Sequence, residues 1–387
     1  MDLKHILCLL LSAAALKVFG EDRDNEVYRW TRQSLPLMLD THMQLLNTPL
    51  FRGQVEDEDN GGLKTLCGIE CQSGLLPIDQ TGQERILGYE TVYENGTRTH
   101  TDIRLQGFNK SFTEISANMP TNTRWKRQVY GADGRFVISD SHFVTNYPFS
   151  AAVRLSTNCS RVLIAPKHVL TAARCIHSGR DYLESAKKLK VGVLQLKTKK
   201  IKRGRRRGGR WRGGRKDEGE AAKEKGEEQL LEEVSSDYDY ALLELKRPIK
   251  QKYMKLGVAP STAPLARIHF SGFDADKGLL DGGGDEKVVY RFCSVAKKSD
   301  DLMYQHCDAE PGATGAGVYI RLRKEVEDAG RRGKFQRRVI GVFSGHQWVE
   351  MEGGERRDFN VAVRITAPKY AQICHWIHGD PSVCRDV

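Results

Sequence analysis

The strongest chemical signal in the sequence is a run of charge. Residues 197–216, KTKKIKRGRRRGGRWRGGRK, hold twelve Lys/Arg and no acid. Residues 217–233 then hold eight Asp/Glu against two Lys. The chain's net charge is +11, so outside the basic run it is close to neutral. The guanidinium groups of Arg203, Arg205, Arg206, Arg207, Arg210 and Arg212 suit a polyanion such as a heparan-type glycosaminoglycan at a cell surface or in matrix. A solvated, self-repelling loop is the competing reading of the same residues. Other stretches predict modification. Arg124-Trp-Lys-Arg127 has the pattern that furin-type convertases cut, after Arg127. Asn95-Gly-Thr97 and Asn109-Lys-Ser111 are N-glycosylation acceptors. No cysteine or histidine cluster completes a zinc site: Cys67-x-x-x-Cys71 has no second pair nearby. No metal and no cofactor are expected.

Three more stretches set polar residues within apolar runs. They are Leu170-Thr-Ala-Ala-Arg-Cys175, Asp239-Tyr-Ala-Leu-Leu-Glu-Leu245 and Pro311-Gly-Ala-Thr-Gly-Ala-Gly-Val318. In that order they resemble the histidine, aspartate and serine segments of the trypsin-like serine proteases. The family writes the first as LTAAHC, the second as an Asp followed by ALL, and the third as GDSGGPL. Val342-Phe-Ser-Gly345 resembles the strand that lines the family's substrate cleft. The resemblance spans roughly residues 128–380. It implies a bridge between Cys159 and Cys175 around the histidine loop, and another between Cys293 and Cys307 in the second barrel. It also implies the fold: all-β, two six-stranded antiparallel β-barrels with a C-terminal α-helix.

The same resemblance places the departures. Arg174 stands where the family has its general base, and Thr314 where it has its nucleophile. A guanidinium is charged at any working pH and offers no acceptor lone pair, so Arg174 takes no proton. Beside Asp239 it would instead form a two-pronged ion pair. Thr314 is internal, β-branched and without a base. Losing the base or the nucleophile of such a triad costs roughly 10⁶-fold. The sequence therefore predicts a catalytically inactive homologue that binds an extracellular protein or peptide without cutting it. A protease with an altered relay is the alternative. In that alternative His168 or His177 would have to reach the hydroxyl. The backbone amides of Gly312 and Thr314 are left as a candidate oxyanion hole. Ala313 replaces an Asp that pairs with the new N-terminus in most of the family, and Asp308 falls near the pocket floor.

These residues must be held by secreted architecture. Lys4-His5, the apolar run Ile6–Ala15 and Val18-Phe-Gly20 form a secretory signal over residues 1–20. No stretch is long and apolar enough to span a bilayer. Removing Cys8 with the signal leaves eight cysteines, an even number suited to disulfides. Trp211 among the arginines would suit a nucleic-acid base, but a secreted chain is not expected to meet one. Residues 21–127 are polar and mixed, with a strand pattern near Ile86–Leu105, and read as an N-terminal pro-region. Residues 128–387 read as the protease-like domain, with short β-runs at 135–138, 150–155, 161–165, 189–194, 240–245, 338–343 and 359–365. Apolar residues at helical spacing predict a terminal helix over 368–378. The charged segment 197–234 reads as a disordered insertion. It occupies the interval where the first barrel needs strands, so that barrel is expected to be complete only if the insertion displaces no edge.

Overall fold

The structure is a computed structural model that describes residues 28–29, 34–48, 79–107, 133–138, 141–155, 157–178, 181–183, 191–192, 236–260, 267–274, 287–323, 335–350 and 355–385. The signal at 1–20, Cys67 and Cys71, Asn109, the Arg127 site and the charged insertion 197–234 lie outside the described residues.

The N-terminal part supplies β1 (Tyr28–Arg29), β2 (Leu37–Leu46), α1 (Gln80–Leu87), β3 (Tyr89–Val92) and β4 (Arg98–Gln106). β2 and β3 flank β4 in an antiparallel sheet. β4 alternates: Thr99, Thr101, Ile103 and Leu105 are buried, while Asp102, Arg104 and Gln106 are exposed. The strand pattern expected near Ile86 begins three residues late, because Ile86 lies in α1. Asp79 caps that helix by accepting the Gly82 N–H at 2.7 Å, and the helix ends at Gly88. Met38, Leu87, Ile103 and Leu105 form a small core of their own.

From β5 (Phe136–Ile138) and α2 (Ser141–Val144) onward the chain is built of strands until α3 (Ala367–His378). β6 (Ala152–Leu155), β7 (Ser160–Ala165), β8 (His168–Thr171), β9 (Val191–Gly192) and β10 (Ala241–Glu244) form a five-stranded sheet in the order β10-β8-β7-β6-β9. The interval between β9 and β10, where a sixth strand would come, is almost wholly outside the described residues. β11 (Arg267–Gly272), β12 (Val288–Lys298), β13 (Leu302–Gln305), β14 (Gly317–Arg323), β15 (Phe335–Glu350) and β16 (Arg356–Arg364) run β14-β11-β12-β13-β16-β15. β15 pairs back onto β14 and closes a six-stranded antiparallel barrel. The all-β class, the closed barrel and the terminal helix are those the sequence implied. No helix among the described residues is long and apolar enough to cross a membrane.

α3 joins the two parts. Its C-cap is Gly379, at φ 66°, a left-handed position that favours glycine. Cys374 is bridged to Cys384, which ties the helix to the residues that follow it. Trp376 meets Tyr89 edge-on, with ring centroids 5.4 Å apart. Gln372 Nε2 donates to the Leu87 carbonyl at 2.6 Å, and Gln372 Oε1 accepts the Tyr240 hydroxyl. His375 Nε2 lies 3.0 Å from Asp40 Oδ1, and the Leu35 N–H donates to the Arg385 carbonyl at 3.0 Å. A second seam pairs Arg98 with Asp181 at 2.8 Å and has Tyr182 donating to Glu90 at 3.1 Å. The N-terminal sheet is thus packed onto the barrels through polar and aromatic contacts, of which those of Gln372 are buried. A chain cut after Arg127 is expected to elute from gel filtration as one species, in reducing and in non-reducing buffer. Two separate peaks without denaturant would contradict this packing.

Candidate active site

β8 ends at Thr171, and the chain turns through a 3₁₀ helix, Ala173–Cys175, that carries Arg174. The Cys159–Cys175 disulfide fastens this turn to the residue before β7. A second 3₁₀ turn, Ser236–Tyr238, delivers Asp239 to the same place. Asp239 is fully buried. Its Oδ1 accepts the Arg174 backbone N–H at 2.9 Å. Its Oδ2 accepts Arg174 Nε at 2.5 Å and the Ser344 hydroxyl at 2.6 Å.

The two-pronged guanidinium fork expected from the sequence does not form. The Arg174 side chain supplies one prong and its own backbone amide the other, because the 3₁₀ turn aims that N–H at the carboxylate. Arg174 Nη2 instead lies 3.4 Å from Ser236 Oγ. Nη1 lies 3.8 Å from where a Cβ on Gly345 would sit, against the strand next to Ser344. The guanidinium fills the space beside that strand.

Thr314 follows a 3₁₀ turn, Pro311–Ala313. Its carbonyl accepts the Ser160 N–H at 2.8 Å. Its hydroxyl is buried and has no hydrogen-bond partner among the described residues. Next to it Gly315 adopts φ +86°, and a Cβ there would lie 2.3 Å from both the Ser160 carbonyl and Thr171 Oγ1. Only glycine fits where the two sheets meet.

Gly312 and Thr314 do not present a pair of free amides. The Thr314 N–H donates to the Pro311 carbonyl at 3.2 Å, closing the turn, so in this conformation the oxyanion hole offered by the sequence is not open. An i to i−3 bond of this kind satisfies the amide locally and leaves it nothing to offer a substrate oxygen. The Gly312 carbonyl is held by the Ser160 hydroxyl at 2.7 Å.

Neither histidine flanking the loop is near Thr314 Oγ1 by any bond. His177 is buried against Tyr182, centroids 4.9 Å apart, and the charges around it are Glu90, Asp181 and Arg98. Burial holds its pKa below the ordinary value. His168 sits opposite Glu244 in the β8–β10 ladder. Asp308 is buried beside the Cys293–Cys307 disulfide, and its Oδ2 accepts the Gly134 N–H at 2.6 Å. The chain's own backbone therefore occupies the acid at the expected pocket floor. Asn95 is exposed in the turn between β3 and β4, where its Oδ1 accepts the Thr97 N–H at 2.9 Å. Ser344 and Pro311 were missed in the sequence. Ser344 was legible only as part of a cleft strand, and Pro311 only as the residue before Gly312. No group of three metal-ligating side chains occurs among the described residues.

The turn that carries Asp239 also buries Asp237. Desolvation, then the charge of Asp301, pushes its carboxyl up to about 7, against the pull of Lys369. A carboxyl raised on folding binds its proton more tightly in the folded state. Its contribution is full below the unfolded pKa near 4 and is lost as pH rises towards 7. Tm is thus expected to fall between about pH 4 and 7, and Asp237→Asn to flatten that fall. An unchanged slope in differential scanning calorimetry of the variant would show that Asp237 does not titrate there.

The family model for trypsin matches residues 139–277. Inactive serine protease 35 of Rattus norvegicus is 43% identical, covering 98% of this chain and 98% of its own. The Homo sapiens protein of the same name is 42% identical, covering 92% and 93%. Serine protease 23 of Macaca mulatta is also 42% identical, covering 92% of each chain. A solved Glu endopeptidase superposes at 17% identity with a TM-score of 0.39, over 64% of this chain and 98% of that one, too loosely to add to these.

Proposed function

The chain belongs to the trypsin family of serine proteases, together with inactive serine protease 35 and serine protease 23, and on that premise we propose that it is a secreted pseudoprotease that acts by binding. Its signal is residues 1–20, its pro-region 21–127 and its protease-like domain 128–387, with cleavage after Arg127 and glycans on Asn95 and Asn109. The observation that carries this reading is the state of Asp239. In a working triad the buried carboxylate orients an imidazole that accepts the nucleophile's proton. Here it neutralises Arg174, a group that accepts none. The Thr314 hydroxyl has no base, and its amide is spent on Pro311. The names of the serine protease 35 relatives support an inactive homologue in the same sense.

The cleft's occupant is an extracellular protein or peptide. A peptide library and a fluorophosphonate probe, applied to the mature chain, are expected to give no turnover and no label. Turnover that disappears in Thr314→Ala would establish an altered protease instead. The 197–216 tract adds a polyanion contact of the heparan type. Replacing its six arginines from Arg203 to Arg212 with glutamine is expected to lower the salt needed to elute the protein from heparin.

A further inference from the structure

The outer face of the closed barrel carries a row of three arginines. β11, β14 and β15 are neighbours. Their registers set Arg321 directly opposite Arg337, and His269 opposite Tyr319. Continuing the β11–β14 ladder by two residues brings Arg267 alongside Arg321. Three arginines therefore lie on one face of three adjacent strands, spaced about 4.8 Å apart across the sheet. Like charges at opposed positions oppose folding. Neither Arg321 nor Arg337 has a carboxylate partner among the described residues. They lie over rings instead, Arg321 over Phe335 at 4.9 Å and Arg337 over Tyr147 at 5.5 Å. His269, on the same face, feels all three charges. After burial, they help to push it down to about 4.

Rings frame this row. Arg267 lies over Phe292 at 4.8 Å. Phe136, on β5, stacks on Phe292 with centroids 5.7 Å apart and planes 7° from parallel. Phe136, Phe292 and Phe335 remain 51%, 37% and 44% exposed, so apolar ring surface is available beside the arginines. The ligand that fits has anionic groups at close intervals and apolar faces between them. We propose that this face binds a sulfated linear polysaccharide. The guanidinium groups take the sulfates as planar forks. The Phe136 and Phe292 rings lie against the C–H faces of the sugar. A purely acidic peptide would satisfy the arginines and leave the rings bare. This site uses no residue of the cleft and none of the 197–216 tract, and it stands whether or not the chain is a pseudoprotease.

The test uses the full chain with all twelve Lys and Arg of residues 197–216 changed to glutamine, which removes the tract as a competitor. A size-defined heparin oligosaccharide is titrated by calorimetry against this background. Binding is expected to persist, and Arg321→Gln with Arg337→Gln to weaken it roughly tenfold. Because the two arginines repel, the doubly changed protein should melt no lower than its parent, which separates lost contact from lost fold. Phe292→Ala should weaken the oligosaccharide but leave inorganic polyphosphate unaffected. Affinity unchanged by the Arg321/Arg337 pair would overturn the site. An acidic peptide or single-stranded DNA of equal charge binding as tightly as the oligosaccharide would overturn the ligand class.

Discussion

Restoring both catalytic side chains, Arg174→His with Thr314→Ser, should yield at most a trace protease, slower than a working one by at least about 10²-fold. The relay itself is recoverable. Asp239 is buried and already bonded to Ser344, so an imidazole on the same turn would find its orienting carboxylate in place. What is not recovered is the anion site. The Thr314 amide donates to the Pro311 carbonyl, and loss of one oxyanion donor typically costs 10² to 10³ in kcat. Pro311 begins the turn with its φ already set, so the closed turn is preorganised. Adding Pro311→Gly to the double variant should therefore raise activity further, while either single restoration alone gives none. The measurement is kcat/KM on an activated peptide ester, with fluorophosphonate labelling as a count of competent sites. A double variant as fast as an ordinary trypsin-like enzyme would mean that the turn opens freely when substrate arrives.

The turn explains why the site was only half legible in the sequence. Arg174, Asp239 and Thr314 could be placed because a motif fixes residue types at fixed offsets. Which way a peptide plane points is not written in any residue type. The Pro311 carbonyl and the Thr314 amide meet through backbone torsions that many sequences share. The ion pair shows a similar limit. A carboxylate beside an arginine suggests a fork, yet the 3₁₀ turn gives one oxygen to a backbone N–H. The barrel strands were legible because β-branched and aromatic residues alternate within short runs. The N-terminal sheet was legible only in part: the pattern near Ile86–Leu105 covers β3 and β4, but β2 was not read. Its own core is only Met38, Leu87, Ile103 and Leu105, and much of its apolar contact comes from Tyr238 and Trp376, far along the chain. Polar residues such as Gln372 and Asp40 that hold the seam look like surface residues until the partner is seen.

Asp239→Ala is expected to cost about 3–5 kcal/mol, the range for removing one partner of a buried ion pair. Three donors converge on this carboxylate: the Arg174 amide, Arg174 Nε and the Ser344 hydroxyl. Alanine would strand all three, one of them on a charged side chain that is only 13% exposed. Asp239→Asn keeps the shape and one acceptor, so it should cost less but still remove the negative charge beside the guanidinium. The informative comparison is Arg174→Met with Asp239→Leu. Burying an ion pair is offset by desolvation, so replacing both members with apolar groups should be far cheaper than removing one. Urea midpoints for the parent, Arg174→Met, Asp239→Leu and their combination complete a double-mutant cycle and give the coupling directly. A loss under about 1 kcal/mol in Asp239→Ala would show that Arg174 swings out to water when released. In that case the positive charge beside the cleft is held in by Asp239 and not by the fold around it. A large coupling would mean instead that the former relay now serves as a cross-link between the two 3₁₀ turns and the Ser344 strand.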